Sequence, residues 1–460
     1  MARHSVDPTS MHRYTDETER VARAALDYAR DRLRLHPVPL DGPRTRDELT
    51  ELAGQTITEE GLGGDAAMRV FAEVLAPATI SIDNPRFLAF IPAAPTELSM
   101  MFDLVVGASS IYAGTWMEAS GAVYAENQAL DWLARLAGMP ESTAGCFVSG
   151  GTIGNLSALV AARHAHRAAG RDAAGGPLRV ACTSETHSSV ATAASVMDVD
   201  LLHVAPDERG RMTGESLRAA LDREGTQGVF AVAATAGTTN VGAIDDLEGV
   251  AAVCRDHGIW MHVDGAYGGA ALAAPSVRPR FAGIEHCDSL IVDPHKWLFA
   301  PFDSCALLYR RPELARAAHT QQAGYLEAVQ DSEWNPSDFA VHLSRRARGL
   351  PFWFSLAAHG TRAYAEAIEH TLEVARRAAD EIRARPDVEL LNDPELTVLV
   401  VRRRGWEAAD YAAWTERLLA DGIAFVTPTT FAGEAVTRFA IVNPRTTAAD
   451  IAAILDTMVG

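Results

Sequence analysis

From residue 178 to residue 309, short apolar runs alternate with helix-patterned stretches, and this alternation leaves few architectures open. The runs at 178–183, 201–205, 228–235, 259–263, 290–292 and 305–309 are rich in Val, Ile, Leu and Ala. Helical spacing returns at 215–223 and 246–257. Apolar strands separated by helices make an α/β fold, a mostly parallel central sheet with helices on both faces. In such sheets ligands sit beyond the carboxyl ends of the strands. The polar residues of this chain fall at those ends. Glu185-Thr-His-Ser-Ser189 follows the first run, Ala236-Gly-Thr-Thr-Asn240 the third, Asp264-Gly-Ala-Tyr267 the fourth and His295-Lys296 the fifth. His187, Thr239, Asp264 and Lys296 should therefore converge on one edge of the sheet.

Lys296 carries a second constraint. It is the only lysine among 41 Lys and Arg residues. A guanidinium stays protonated and cannot form an imine with an aldehyde, whereas a deprotonated lysine amine can. Burial beside a bound cofactor is expected to favour the neutral amine. Lys296 lies in Asp293-Pro-His-Lys-Trp-Leu298, on the turn just past an apolar strand broken by Pro294. Upstream, Cys146-Phe-Val-Ser-Gly-Gly-Thr-Ile-Gly-Asn-Leu-Ser-Ala-Leu159 places small residues ahead of an apolar helix running to about residue 169. Free N–H groups at such a helix start, with the Thr152 hydroxyl, form a seat for a phosphate.

An amine that can form an imine, an acid, a phosphate seat and a flat histidine are what pyridoxal phosphate bound as a Schiff base requires. Lys296 would hold the aldehyde, Asp264 would bind the pyridine nitrogen, and His187 would lie on the ring. Singly, each residue has a plainer reading. Asp264-Gly is a common turn, His187 could be an ordinary histidine, and Thr152 and Thr239 could cap turns.

Outside the alternating region, residues 15–33 repeat apolar positions at helical spacing, with Thr15 as N-cap and Asp16, Glu17 and Glu19 in the first turn. Pro37, Pro39 and Pro43 then lead towards a helix near 66–75. Residues 1–75 read as a helical arm that lies on another surface, and a second subunit is the expected one. Residues 76–340 read as a large domain and 341–460 as a small α+β domain. A helical stretch is expected from 338 to 384, across that boundary, and strands at 396–402, 424–426 and 437–443. Residues 321–336 lack periodicity, as a lid would.

Composition excludes several partners. A formal net charge of -19 opposes nucleic-acid binding, which needs a basic face. No apolar run is long enough to span a membrane, and the first thirty residues lack the apolar core of a signal peptide. Cys146, Cys182, Cys254, Cys287 and Cys305 show no paired spacing, so neither a disulfide framework nor a metal site is indicated, and a cytoplasmic location fits.

Taken in order, Cys146 to Leu159, Thr186-His-Ser-Ser-Val190, Thr235-Ala-Gly-Thr-Thr239, His262-Val-Asp-Gly-Ala-Tyr267 and Asp293-Pro-His-Lys-Trp-Leu298 resemble the group II pyridoxal-phosphate decarboxylases of the aromatic-L-amino-acid decarboxylase type. The resemblance spans roughly residues 15–455. It implies a fold-type-I, aspartate-aminotransferase-like homodimer with shared active sites. It also implies decarboxylation of an L-amino acid, a small-molecule substrate, to the corresponding amine and carbon dioxide. In it, Lys296 takes the cofactor aldehyde, Asp264 the pyridine nitrogen, His187 one ring face and Ala266 the other. Gly151, Thr152 and His295 take the phosphate region, and Thr239 lies near the cofactor. Tyr325 resembles the loop tyrosine that protonates the α-carbon, which favours plain decarboxylation over aldehyde formation. Phe87, Phe90, Pro92 and Trp116 are the candidate substrate walls, and their apolar character favours an aromatic amino acid. An acidic or diamino substrate, an aminotransferase and an aldehyde-forming enzyme of the same fold are the alternatives. The chain departs from the pattern at Phe90-Ile-Pro-Ala93, at Gly114 and at Asp293. An anion beside a phosphate would repel it, so Asp293 is expected to face backbone donors.

Overall fold

The computed structural model describes residues 9–171, 175–321 and 334–458. They divide into two compact units, one of residues 1–87 with 416–425 and one of residues 88–415 with 426–460.

In the smaller unit, α1 (Asp16–Leu33) begins at Thr15, whose hydroxyl accepts from the Thr18 N–H while Thr18 answers the Thr15 N–H. α2 (Arg46–Ala53) begins with the same reciprocal cap between Thr45 and Glu48, and α3 (Gly64–Val70) follows. Arg32 pairs with Asp83 at 2.8 Å, and Phe87 meets Phe425 edge-on at 4.9 Å. None of these helices buries a residue, while Leu26, Leu52 and Ile57 stand exposed. Their amphipathic pattern is therefore unspent within the chain.

In the larger unit, α4 (Glu97–Ser109) and α5 (Trp116–Leu136) lead to β1 (Ala144–Val148) and α6 (Gly151–Ala168). Then come β2 (Arg179–Cys182), α7 (Ser188–Met197), β3 (Asp200–His203), α8 (Gly214–Glu224), β4 (Val229–Thr235) and α9 (Leu247–His257). β5 (Trp260–Asp264), β6 (Ser289–Val292) and β7 (Cys305–Tyr309) complete a seven-stranded sheet of order β1-β7-β6-β5-β4-β2-β3. Only β7 runs against the rest, pairing antiparallel with both β1 and β6. The period-two alternation of β5 gives the sheet two different faces. Met261 and Val263 enter one apolar layer with Leu290 and Val292. Trp260, His262 and Asp264 point to the other face, where Trp260 packs with Ile291 and residues of α6.

The expected sheet is present. β1 is not distinguishable as a strand from the sequence, because its apolar run is only five residues and merges into the glycines that follow. α10 (Pro312–His319) follows β7. The long helical stretch expected at 338–384 is two helices, α11 (Leu350–His359) and α12 (Thr361–Arg383), split at Gly360, whose φ of 80° is left-handed. Beyond them β8 (Val388–Leu390), β9 (Val398–Arg403), β10 (Thr427–Phe431) and β11 (Glu434–Ala440) form an antiparallel sheet of order β10-β11-β9-β8. The strand expected at 424–426 begins instead at Thr427.

Candidate active site

The loops after β1, β2, β4, β5 and β6 meet in a cavity of about 280 Å³. Its wall contains Gly150, Gly151 and Thr152 from the start of α6, His187 from the start of α7, Thr235, Gly237 and Thr239 from the end of β4 and beyond, Asp264, Ala266 and Tyr267 from the end of β5 and beyond, and Asp293, His295 and Lys296 after β6. Every cofactor residue expected from the sequence thus borders one space at the carboxyl edge of the parallel strands. Asn155 and Ser189 line it as well.

α6 opens the site at its N-terminus. Its N-cap is Gly150, which offers no side chain to the first N–H groups, whereas threonines cap α4 and α8. Those donors are left for a ligand, and the helix dipole favours an anion. Gly151 is needed for closeness, since a Cβ there would lie 3.3 Å from both Asp293 Oδ2 and Ile291 Cδ1. Gly154 is tighter, with its Cβ position 2.8 Å from Ile291 Cγ2.

Asp264 ends β5. Its Oδ1 accepts from the Ala266 N–H at 3.0 Å, the turn bond that Asp-Gly suggests, and its Oδ2 accepts from Asn155 Nδ2 at 2.8 Å. Both bonds hold the buried carboxylate in one orientation. His187 caps α7, and its Nδ1 accepts from the Ser189 N–H at 3.2 Å and contacts Ser189 Oγ at 2.8 Å. His295 Nδ1 accepts from the Ser304 N–H at 3.0 Å, which leaves the ring proton on Nε2, 3.5 Å from Asp293 Oδ2. Burial lowers the His295 pKa against the pull of Asp293.

Asp293 departs from expectation. Its carboxylate does not turn to backbone donors. Oδ2 faces Lys296 Nζ at 3.2 Å, and Oδ1 is buried without a hydrogen-bond partner. The backbone of Asp293 is satisfied separately, by Ala266 O and the Lys296 N–H, so the side chain is released towards the amine. Lys296 also departs from expectation in the protein alone. Burial would lower its pKa, but the charges of Asp293 and then Asp264 override it, and the net displacement is upward.

The expected substrate walls are not part of this cavity. Among the described residues lining it, Phe90, Pro92 and Trp116 are absent. Phe90 stands 57% exposed with a left-handed φ of 53°, Pro92 is buried, and Trp116 packs edge-on against Trp334 at 5.5 Å. Tyr325 and most of the expected lid lie outside the described residues.

A family profile for the pyridoxal-dependent decarboxylase conserved domain matches residues 47–404. The chain is 30% identical over 431 residues to an aromatic-L-amino-acid decarboxylase of Bacillus atrophaeus, covering 90% of this chain and 88% of that protein. It is 32% identical over 416 residues to an L-2,4-diaminobutyrate decarboxylase of Rhizobium meliloti (strain 1021), covering 87% and 82%. The crystal structure of Oryza sativa TDC with PLP and tryptamine superposes with a TM-score of 0.89 over 96% of this chain and 98% of that one, and at 24% identity the likeness concerns the fold.

The residues present fit pyridoxal phosphate. The uncapped α6 start suits its phosphate, the fixed Asp264 carboxylate suits its ring nitrogen, and the sole lysine amine faces the same space. Asp293 Oδ1 and Thr235 Oγ1 are buried there without partners in the protein, which costs stability unless a ligand or its water supplies them.

Proposed function

The chain belongs to the pyridoxal-dependent decarboxylase family, and from that premise we propose that this pyridoxal-phosphate-dependent carboxy-lyase converts an aromatic L-amino acid to its amine, with Lys296 as the residue joined to the cofactor. The observation that carries the reading is the meeting of the only lysine, the oriented Asp264 and the open α6 terminus around one cavity. When bound, the cofactor supplies an electron sink for the pair left on the α-carbon as carbon dioxide departs.

The protein's own groups have distinct tasks in this reading. The N–H groups at the start of α6 bind the phosphate, and the Thr152 hydroxyl and His295 stand beside them. Asp264 holds a proton on the ring nitrogen, with its carboxylate kept in place by Asn155 and the Ala266 N–H. His187 and Ala266 flank the ring, and Thr239 borders it. Asp293 Oδ2, 3.2 Å from Lys296 Nζ, orients the amine and holds its proton until the cofactor is attached. Tyr325 returns a proton to the α-carbon, so amine rather than aldehyde is the expected product.

One finding supports an aromatic substrate: a 30% identical relative is named for that activity. Phe90, Pro92 and Trp116 would serve as its apolar walls only if the proposed dimer brings them to the cavity, which they do not line in this chain. A diamino acid is the second reading, favoured by the relative named for L-2,4-diaminobutyrate. Incubating the pure protein with the twenty amino acids and 2,4-diaminobutyrate, and measuring carbon dioxide and amine, separates them. Release only from Phe, Tyr, Trp or similar supports the aromatic reading, and release only from an acidic or diamino acid overturns it. We also propose a cytoplasmic homodimer. The arm of residues 1–75, whose helices bury nothing of their own, would lie on the second subunit. Sedimentation at a monomer's mass would contradict that.

A further inference from the structure

Beside Asp264, a line of buried polar side chains runs from β6, outside the cavity, to Asn155, Ser189 and His187 in the cavity wall. Trp260 Nε1 donates to Ser289 Oγ at 2.8 Å. Ser289 Oγ lies 2.8 Å from His262 Nδ1, and His262 Nε2 lies 2.8 Å from Asn155 Oδ1. Asn155 Nδ2 reaches both Asp264 Oδ2 and Ser189 Oγ at 2.8 Å, and Ser189 Oγ meets His187 Nδ1 at 2.8 Å. The register explains the assembly, because His262 is the direct neighbour of Ser289 across the parallel β5–β6 pair and shares a face of β5 with Trp260 and Asp264. His262, Asn155 and Ser289 are fully buried, and Ser189 nearly so.

The direction of donation follows from the acid. A carboxylate only accepts, so the Asn155 amide must turn its Nδ2 to Asp264 and its Oδ1 to His262. His262 Nε2 must then carry the ring proton. Burial lowers the His262 pKa to about 4, so the ring is neutral at neutral pH and Nδ1 is bare. The Ser289 hydroxyl, already accepting from Trp260, gives its hydrogen to that nitrogen. On the far side the second Asn155 hydrogen goes to Ser189, whose own hydrogen goes to His187 Nδ1. The donations run in one sense from Trp260 through to Asn155 and on to His187, whose Nδ1 also accepts the Ser189 N–H.

We infer that His262, which does not line the cavity, is a positioning residue: by donating to Asn155 Oδ1 it fixes the amide that aims the Asp264 carboxylate and, through Ser189, the His187 ring. Without that donor the amide could turn over and present oxygen to Asp264 at the same distance, a repulsive contact. An apolar side chain would serve packing alone at lower cost. The inference deepens the assignment of Asp264 to the ring nitrogen and rests on it.

The test compares His262→Leu, which removes the donor, with His262→Gln, which keeps an N–H near the Nε2 position, using Asp264→Asn as the reference. Cofactor affinity is read by titrating the cofactor-free protein and following visible absorbance, alongside kcat, KM and the pH titration of the cofactor band. For His262→Leu we expect cofactor affinity and kcat each to fall about 10- to 100-fold, the loss of a hydrogen bond in a charged network. Its KM should change little, the band should titrate at a shifted pH, and His262→Gln should recover most of each effect. A folded His262→Leu protein with unaltered affinity, kcat and band titration overturns the inference, as does a Gln variant no better than Leu. If His262→Leu fails to fold, Ser289→Ala should produce a smaller effect in the same direction, and its absence overturns the inference. Should Asp264→Asn itself leave affinity and kcat intact, the assignment of Asp264 is at fault. A damaged Asp264→Asn beside an undamaged His262→Leu rejects the role of His262 alone.

Discussion

Lys296 Nζ lies 3.2 Å from Asp293 Oδ2, and this pair governs whether the only lysine of the chain can act as a nucleophile. Burial favours the neutral amine, yet the two nearby carboxylates, Asp293 above all, keep the proton on it. Asp293→Asn removes the larger of the opposing charges. The amine then loses its proton at lower pH, and the pH at which cofactor attachment is half-maximal should fall. The measurement is the rate of rise of visible absorbance on adding pyridoxal phosphate across a pH series. An unchanged or raised midpoint would remove Asp293 from this role.

A side chain at Gly151 should be felt mainly in cofactor binding. Its Cβ would meet Asp293 Oδ2 and Ile291 Cδ1 at 3.3 Å, at the helix start proposed to hold the phosphate. Gly151→Ala is expected to weaken cofactor binding by roughly 10-fold or more, an effect of the size of one lost charge-assisted hydrogen bond. The thermal midpoint of the cofactor-free protein should move little. Equal losses of stability and affinity would point to a packing defect instead.

The parts of the site legible in the sequence were those where residue type is itself unusual for its place. A lone lysine after a strand, an Asp-Gly at another strand end and a Gly-Gly ahead of a helix each stand out, and all three border the cavity. What stayed hidden depends on side-chain direction. Asn155 looks like any polar residue inside an Ala-rich helix, and only the approach of α6 to β5 gives its amide a carboxylate to hold. Asp293 was expected to turn to backbone donors because a phosphate was assumed to repel it, but its backbone is already satisfied by Ala266 and Lys296. In the fold, alternation identified the buried parallel strands, whose apolar runs are continuous. It did not identify β10, where Thr427-Pro-Thr-Thr-Phe431 lies at the edge of its sheet with no buried residue.

Acid should destabilise the fold through its buried histidines. His262, His295, His319 and His342 all have pKa values lowered mainly by burial, His262 and His342 to about 4. The unfolded chain takes up these protons near the ordinary value, while the folded protein refuses them until lower pH. Stability is therefore present above about pH 6.5 and is lost as pH falls towards 4. For His262 the gap between 6.5 and about 4 corresponds to roughly 3 kcal/mol. Thermal midpoints measured through this window should fall steadily, and His342→Asn should flatten the slope. An equally steep slope in that variant would show that other groups carry it.

Arg345 and Glu126 form an ion pair at 2.7 Å with both side chains almost wholly buried. Arg345 Nη1 also donates to Ala113 O at 2.8 Å, and Glu126 Oε1 accepts the Gly349 N–H at 2.8 Å. The pair thus ties α5 to the turn that starts α11. Glu126→Ala would leave the guanidinium buried without its acid and should cost about 3–5 kcal/mol. Denaturant unfolding checks this, and a loss below about 1 kcal/mol, typical of an exposed pair, would contradict it.

The most direct measurement is to load the protein with pyridoxal phosphate, reduce it with borohydride and map the modified peptide. Attachment at position 296 alone is the predicted result, accompanied by loss of both the visible band and carbon dioxide release in Lys296→Ala. A pyridoxyl group found at any other amine, or a Lys296→Ala protein that keeps its band, would contradict the account.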